Sequence, residues 1–118
     1  MTPPRATKVD VFLFGGDNTV MSGIDALITA AHSNGKPVFS CDELSVSHGA
    51  IAAYSVDYHE MGRRTANTCA AVFGGADPTN IPIDIMTGTR LIINRKAARM
   101  LGVKLPPLAE SIAAKIYE

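Results

Sequence analysis

Apolar runs and helical patterns alternate along this chain. Residues 9–14 form an apolar run with β-branched and aromatic side chains that stops at Gly15-Gly16, which predicts a buried strand. A helix is predicted over about 20–34, where Ser22 and Asp25 resemble a capping box. Its apolar positions at helical spacing are Ile24, Leu27, Ile28 and Ala31. The chain is therefore expected to open with a strand followed by a helix.

The same alternation continues through the middle of the chain. Short apolar runs predict strands at 37–41 and 50–56. The polar residues between them predict a turn through Ser45, Ser47 and Gly49. A long helix is then predicted over 58–73, with Asp57 as its N-cap and Glu60 completing a capping box.

The last third of the chain adds one strand and two helices to the prediction. The strand is expected at 90–93, and Asn94 is expected to cap a short helix behind it. Pro106-Pro107 should open a final amphipathic helix. That helix would carry Leu108, Ile112 and Ile116.

Strands that are followed by helices, with nearly continuous apolar strand runs, indicate an α/β fold. Its sheet should be mostly parallel and flanked by helices. The 118 residues are the size of one ordinary domain, and we see no repeat or flexible linker, so a single α/β unit over 1–118 is expected.

Composition excludes several function classes. Apolar residues make up 47% of the chain and charged residues 19%, which predicts a packed core. Eleven basic and eleven acidic residues balance, and this argues against a nucleic-acid or membrane-surface partner. No stretch has the roughly 20 apolar residues of a membrane span. Residues 1–8 lack the apolar core of a secretory signal, so we expect a cytoplasmic protein or a signal that lies upstream.

Polar side chains follow the first two predicted strands. Asp17, Asn18 and Thr19 come after the first strand, and Asp42 and Glu43 come after the second. Ligands of open α/β sheets bind at the carboxyl ends of strands, so these residues are candidates for one cation-accepting site. The alternatives are that Asp17 only caps the next helix and that Asp42 and Glu43 lie in a solvated turn.

Other kinds of chemistry find no support in the sequence. The histidines and cysteines have no metal-ligand spacing, and no nucleophile elbow, phosphate loop or dinucleotide fingerprint is present. We therefore expect no catalytic residue, no metal and no cofactor, and we do not expect an enzyme. Cys41 and Cys69 are expected to pack as small hydrophobes, and a disulfide between them stays open.

An ordered set of segments carries a family resemblance. The segments are 17–20, 35–39, 42–43, 49–58, 62–63, 74–78, 81–83, 93–94, 97–98, 101–103 and 105–106. In this order and spacing they resemble the C-terminal portion of ABC-transporter substrate-binding proteins of the tryptophan/tyrosine-uptake type. The resemblance covers nearly the whole chain.

That resemblance implies a type I periplasmic-binding fold, in which two Rossmann-like α/β lobes close on a small ligand. By this comparison, residues 9–49 belong to the C-terminal lobe, 50–80 to a crossover strand and helix, and 81–118 to the C-terminal segment. Family members are considerably longer, so the chain is expected to be a fragment. The parent protein would be periplasmic or otherwise extracytoplasmic and would meet an ABC permease.

The resemblance also gives the candidate residues roles. An amino-acid ligand, such as an aromatic one, presents an ammonium that needs a carboxylate, for which Asp17 is the first choice and Asp42 the second. Its carboxylate needs donors, which Asn18 or Thr19 would supply. Asp57 would lie near the hinge and is mainly a helix cap.

Two other readings compete with a ligand-binding module. A receiver-like regulatory domain would need a lysine at a late strand end, where this chain has Asn94. An isolated interaction or dimerisation domain without an intact ligand site is the stronger alternative. Half of a two-lobed fold leaves apolar faces and strand edges open, so we expect a homodimer, with exchange of the 58–73 helix as one route.

Overall fold

The computed structural model describes residues 8–87 and 89–118. These residues form five strands: β1 Phe12–Phe14, β2 Val38–Ser40, β3 Ala52–Val56, β4 Thr89–Asn94 and β5 Lys115–Tyr117. They also form six α-helices: α1 Asn18–Ser22, α2 Ile24–Ser33, α3 Glu43–His48, α4 Tyr58–Phe73, α5 Arg95–Met100 and α6 Pro107–Ile112. A 3-10 turn spans Pro78–Asn80. None of the described helices has the length and apolar content to cross a membrane.

The five strands make one sheet in the order β1-β2-β3-β4-β5. The pairs β1/β2, β2/β3 and β4/β5 are parallel, and Phe14 pairs with Ser40. The N–H of Asn94 donates to the Ile51 carbonyl at 2.8 Å, so the end of β4 lies beside the start of β3. The carboxyl ends of β1, β2 and β3 therefore share one edge of the sheet. The predicted α/β class with a mostly parallel sheet is confirmed.

The described chain divides into two compact units. The first unit contains the residues up to Ser55 together with Arg90–Glu118, and it holds most of the sheet. The second unit is Val56–Thr89, which holds α4 and the 3-10 turn. The subdivision into 9–49, 50–80 and 81–118 remains a prediction.

The first unit buries apolar side chains on both faces of its sheet. One cluster packs α2 and α3 against the strands, and it contains Ile24, Ile28, Ala31, Val38, Val46, Ala50, Ala53 and Ile92. The second cluster packs α5 and the segment behind it, and it contains Ile51, Ala97 and Ala98 with Phe39, Leu101 and Val103. Because Val38 and Phe39 are neighbours in β2 and point to opposite faces, both faces need apolar residues.

Helices α4 and α5 form where the sequence predicts them. Helix α4 spans Tyr58–Phe73, and Asp57 Oδ1 accepts from the N–H groups of His59 and Glu60 at 3.1 Å. Asn94 Oδ1 accepts from the Ala97 N–H at 2.8 Å and so caps α5 as predicted. The first strand is shorter than predicted, because regular pairing with β2 covers only Phe12–Phe14.

The predicted helix over 20–34 is wrong in its bounds and in its cap. It is two helices separated by Gly23, a residue type with poor helix propensity, and the first begins at Asn18 because Asp17 caps it. The proposed capping box at Ser22 and Asp25 does not form. Ser22 Oγ donates to the Thr19 carbonyl at 2.7 Å instead.

The predicted polar turn through Ser45, Ser47 and Gly49 is also wrong, because these residues belong to α3 and its end. Asp42 caps this helix, and Ser45 is fully buried rather than exposed. Gly49 ends the helix with φ +125°, a conformation that favours glycine.

The final predicted helix is wrong beyond Ile112. Helix α6 ends there, and Ile116 lies in β5 opposite Ile93 of β4. The expectation that the cysteines pack as small hydrophobes is wrong as well, because Cys41 and Cys69 are exposed free thiols.

Candidate functional site

The loops that follow β1 and β2 lie side by side. Phe14 and Ser40 pair at the ends of the two strands, and a Cβ placed on Gly16 would lie 3.9 Å from Cys41 Sγ. We call residues 15–19 and 41–43 the strand-end loops. They contain five of the six candidate ligand residues, at the edge of the sheet where the parallel strands end.

Asp17 caps a helix and keeps one carboxylate oxygen available. Its Oδ1 accepts from the Val20 N–H at 2.9 Å, and its Oδ2 has no hydrogen bond within residues 8–87 and 89–118. Asn18 and Thr19 are exposed, and their side chains form no hydrogen bond within that described part of the chain. The first loop thus offers an anionic oxygen, an amide and a hydroxyl.

Asp42 is held more firmly than Asp17. Its Oδ1 accepts from the N–H groups of Leu44 at 2.8 Å and Ser45 at 3.3 Å. The hydroxyl of Ser45 donates to the Asp42 carbonyl at 2.6 Å, and the hydroxyl of Ser40 can then donate to the oxygen of Ser45. Ser40 Oγ also accepts from the Asp42 N–H at 3.3 Å, and both serines are buried, so a polar network holds the backbone of the second loop.

Glu43 is already paired within the first unit. Its Oε1 accepts from Lys115 Nζ at 2.7 Å and from the Tyr117 hydroxyl at 3.4 Å, and Lys115 lies 4.7 Å from the Tyr117 ring centroid. The hydrogen bond from Lys115 holds the pKa of Glu43 below its ordinary value of 4.5. Glu43 therefore ties the second loop to β5, a contact missed because 115–117 was predicted as helix.

Asp57, the sixth candidate, belongs to the second unit and is described apart from the strand-end loops. One of its oxygens caps α4. The Glu60 carboxylate accepts from Arg63 at 2.8 and 2.9 Å, and its predicted part in a capping box with Asp57 remains a prediction.

The strand-end loops carry side chains that can bind charged groups of a ligand. Carboxylates at Asp17 and Asp42 can accept from a cation, while Asn18 and Thr19 can donate to an anion. Among the described residues, no group of three histidine, cysteine, aspartate or glutamate side chains could hold a metal ion.

Comparison with known proteins identifies the family of this chain. The family model for "ABC transporter substrate binding protein" matches residues 4–116. A curated relative, the "Tyrosine-binding protein" of Clostridioides difficile, is 29% identical over 97 residues. The match covers 82% of this chain and 28% of that protein.

Solved structures of longer proteins have the same fold. A conserved domain protein of Vibrio cholerae is 36% identical with a TM-score of 0.84 over 95% of this chain. An ABC domain of Streptococcus pneumoniae in complex with L-Trp is 28% identical with a TM-score of 0.83 over 94% of this chain. A Clostridium difficile substrate-binding protein, ligand-free and open, is 23% identical with a TM-score of 0.76 over 96% of this chain and shows the fold alone. This chain spans 38% of each of the three.

Proposed function

The chain belongs to the family of ABC transporter substrate-binding proteins, and on that premise we propose that it is part of the solute-binding component of an ABC importer. The proposed ligand is a free amino acid with an aromatic side chain. Support comes from the two relatives whose names give tyrosine and L-Trp as ligands. The activity is reversible binding and not catalysis.

The observation that carries this proposal is the adjacency of the strand-end loops. Phe14 pairs with Ser40, and Gly16 lies against Cys41, so the two loops that carry the candidate residues begin side by side. We propose that Asp17 Oδ2 accepts from the ligand ammonium and that Asp42 is the second acceptor. Asn18 and Thr19 would donate to the ligand carboxylate.

Two candidates have supporting roles in the proposed site. Glu43 is proposed to position its neighbour Asp42, because the bond between Glu43 and Lys115 ties the second loop to β5. Asp57 is proposed as a secondary ligand contact, and its main role is the cap of α4.

The affinity expected for this chain follows from how much of its relatives' length it spans. It spans 38% of the solved relatives, and we propose that it supplies one wall of an inter-lobe cleft. Because tight small-molecule sites bury most of the ligand surface, one wall alone should bind weakly. The full-length protein is proposed to be extracytoplasmic and to deliver its ligand to an ABC permease.

The proposal is tested by titrating the ¹⁵N-labelled chain with L-tryptophan and L-tyrosine. Saturable amide shifts are expected in the strand-end loops. N-acetyl-tryptophan lacks the ammonium and tryptophanamide lacks the carboxylate, so each should cause smaller shifts. Equal shifts with all three compounds, or shifts confined to other regions, would contradict the proposed recognition.

We also propose a second function, self-association, which a specific surface favours. β1 has a strand neighbour on one side only among the described strands. On β1 and just before it, Leu13 is 78% exposed and Val11 is 45% exposed. An apolar edge strand of this kind recruits a partner strand, and a second copy of the chain offers the same edge. This is the proposed route to the predicted homodimer.

A further inference from the structure

The first unit contains a cavity at the edge of the sheet opposite the strand-end loops. It has a volume of about 260 Å³ and lies between the ends of α2 and α3 and one side of α5. His32 belongs to the last turn of α2, and Gly49 ends α3 just before β3 begins. The cavity therefore lies at the amino ends of β2 and β3 and shares no residue with the proposed amino-acid site.

The lining of this cavity contains one lysine, two histidines and no carboxylate. Lys96 is exposed and forms no ion pair or hydrogen bond within the described residues. His48 also lines the cavity, and its Nδ1 lies 2.6 Å from Asp25 Oδ1. Asp25 is thereby engaged with His48, which leaves the ammonium of Lys96 without an anionic partner in the structure described.

His32 adds a polar atom that the protein itself does not satisfy. Its Nε2 is buried and has no hydrogen-bond partner among the described residues. Buried ring nitrogens are normally hydrogen-bonded, and an unpaired one is costly. The His32 ring packs beside Gly49, which has no side chain. A Cβ at this position would lie 3.2 Å from His32 Cε1.

We propose that this cavity binds a small oxyanion, with Lys96 Nζ as the charged donor and the imidazoles of His32 and His48 beside it. Ammonium groups are usual donors to phosphate and carboxylate oxygens, and an imidazole N–H can donate to them as well. The volume is below the roughly 300–1,000 Å³ of pockets that hold drug-sized ligands, which favours a compact anion. The inference does not depend on the proposed amino-acid site.

The test is a titration of the ¹⁵N-labelled chain with inorganic phosphate, and separately with acetate, at constant ionic strength. Saturable shifts of the Gly49 and Lys96 amides are expected with one or both anions. The anion that saturates at lower concentration identifies the chemical class, and a response to neither would overturn the proposal.

Two matched pairs of variants locate the site. Lys96→Met should weaken anion binding about tenfold, whereas Lys104→Met removes an exposed charge elsewhere and should change it less than about twofold. Met100 is 65% exposed on the cavity wall, so Met100→Glu should abolish binding through repulsion while Met100→Gln should not. Equal effects within either pair would mean adventitious binding only and would overturn the proposal. Shifts that centre on the strand-end loops would overturn it as well.

Discussion

Replacing Asn94 should reveal how the strand β4 is joined to two helices. This side chain is 7% exposed, and it makes two bonds: Oδ1 accepts from the Ala97 N–H at 2.8 Å and Nδ2 donates to the Val46 carbonyl at 2.9 Å. Asn94→Ala removes both. Loss of an N-cap costs about 1 kcal/mol.

Loss of the bond from Asn94 Nδ2 to the Val46 carbonyl lowers the free energy of unfolding further, but only by a limited amount. An unsatisfied buried carbonyl costs about 1–3 kcal/mol, but the Val46 carbonyl also accepts from the Gly49 N–H at 3.2 Å. The lower end of that range therefore applies. We expect Asn94→Ala to lower the free energy of unfolding by about 2 kcal/mol.

Urea denaturation followed by far-ultraviolet circular dichroism measures this loss. With a slope of about 2 kcal/mol per molar urea, the midpoint should fall by about 1 M. Asn94→Ser is the matched control, because serine retains the cap but cannot reach Val46, and it should lose only about 1 kcal/mol. Equal destabilisation by both variants, or a loss below about 0.5 kcal/mol for alanine, would refute this reasoning.

Three further predictions concern other parts of the first unit. Gly49→Ala should destabilise the chain by more than about 1 kcal/mol in urea denaturation, because φ is +125° and the new Cβ would lie 3.0 Å from Ile28 Cγ2. Lys115→Met should lower the midpoint of urea denaturation only slightly at neutral pH, since the Glu43 pair is partly exposed. The pKa of Glu43 is lowered from 4.5, so this difference should persist above pH 4.5 and vanish as pH falls through the folded value. Leu13→Glu should convert a dimer to a monomer in light scattering at micromolar concentration, whereas Leu13→Met should not.

Each of these three predictions has an outcome that contradicts it. A neutral or stabilising Gly49→Ala would show that the α3 end relaxes without strain. A Lys115→Met difference that is unchanged in acid would mean that the charge of Glu43 is not its source. A wild-type chain that is monomeric at the same concentration would refute the self-association proposal.

Local signals explain which parts of the fold the sequence predicts correctly. Helix α4 has an N-cap at Asp57 and glycines behind Phe73, and α5 has its cap at Asn94, so neighbouring residues determine these ends. Strand β5 depends on pairing with β4, more than twenty residues earlier, so its three residues carry no local strand signal. Ser45 resembles a turn residue until the fold buries it against Ser40.

The candidate site shows the same division between local and distant contacts. The positions of Asp17 and Asp42 at strand ends follow from reading strands and helices along the chain, and the structure sets their loops side by side. The bond between Glu43 and Lys115 joins residues 72 positions apart. No pattern in the sequence pairs them, because their contact exists only once β5 has joined the sheet.

The most direct test of the proposed function is the fluorescence anisotropy of L-tryptophan titrated with this chain. The chain contains no tryptophan, so excitation near the red edge reports on the ligand alone. We predict a saturable rise that Asp17→Asn weakens about tenfold, because asparagine retains the helix cap but removes the charge that the ammonium needs. Asp10→Asn removes an exposed charge at the other end of the first strand and should leave binding unchanged. No saturable rise, or an equal effect of the two variants, would contradict a ligand site at the strand-end loops.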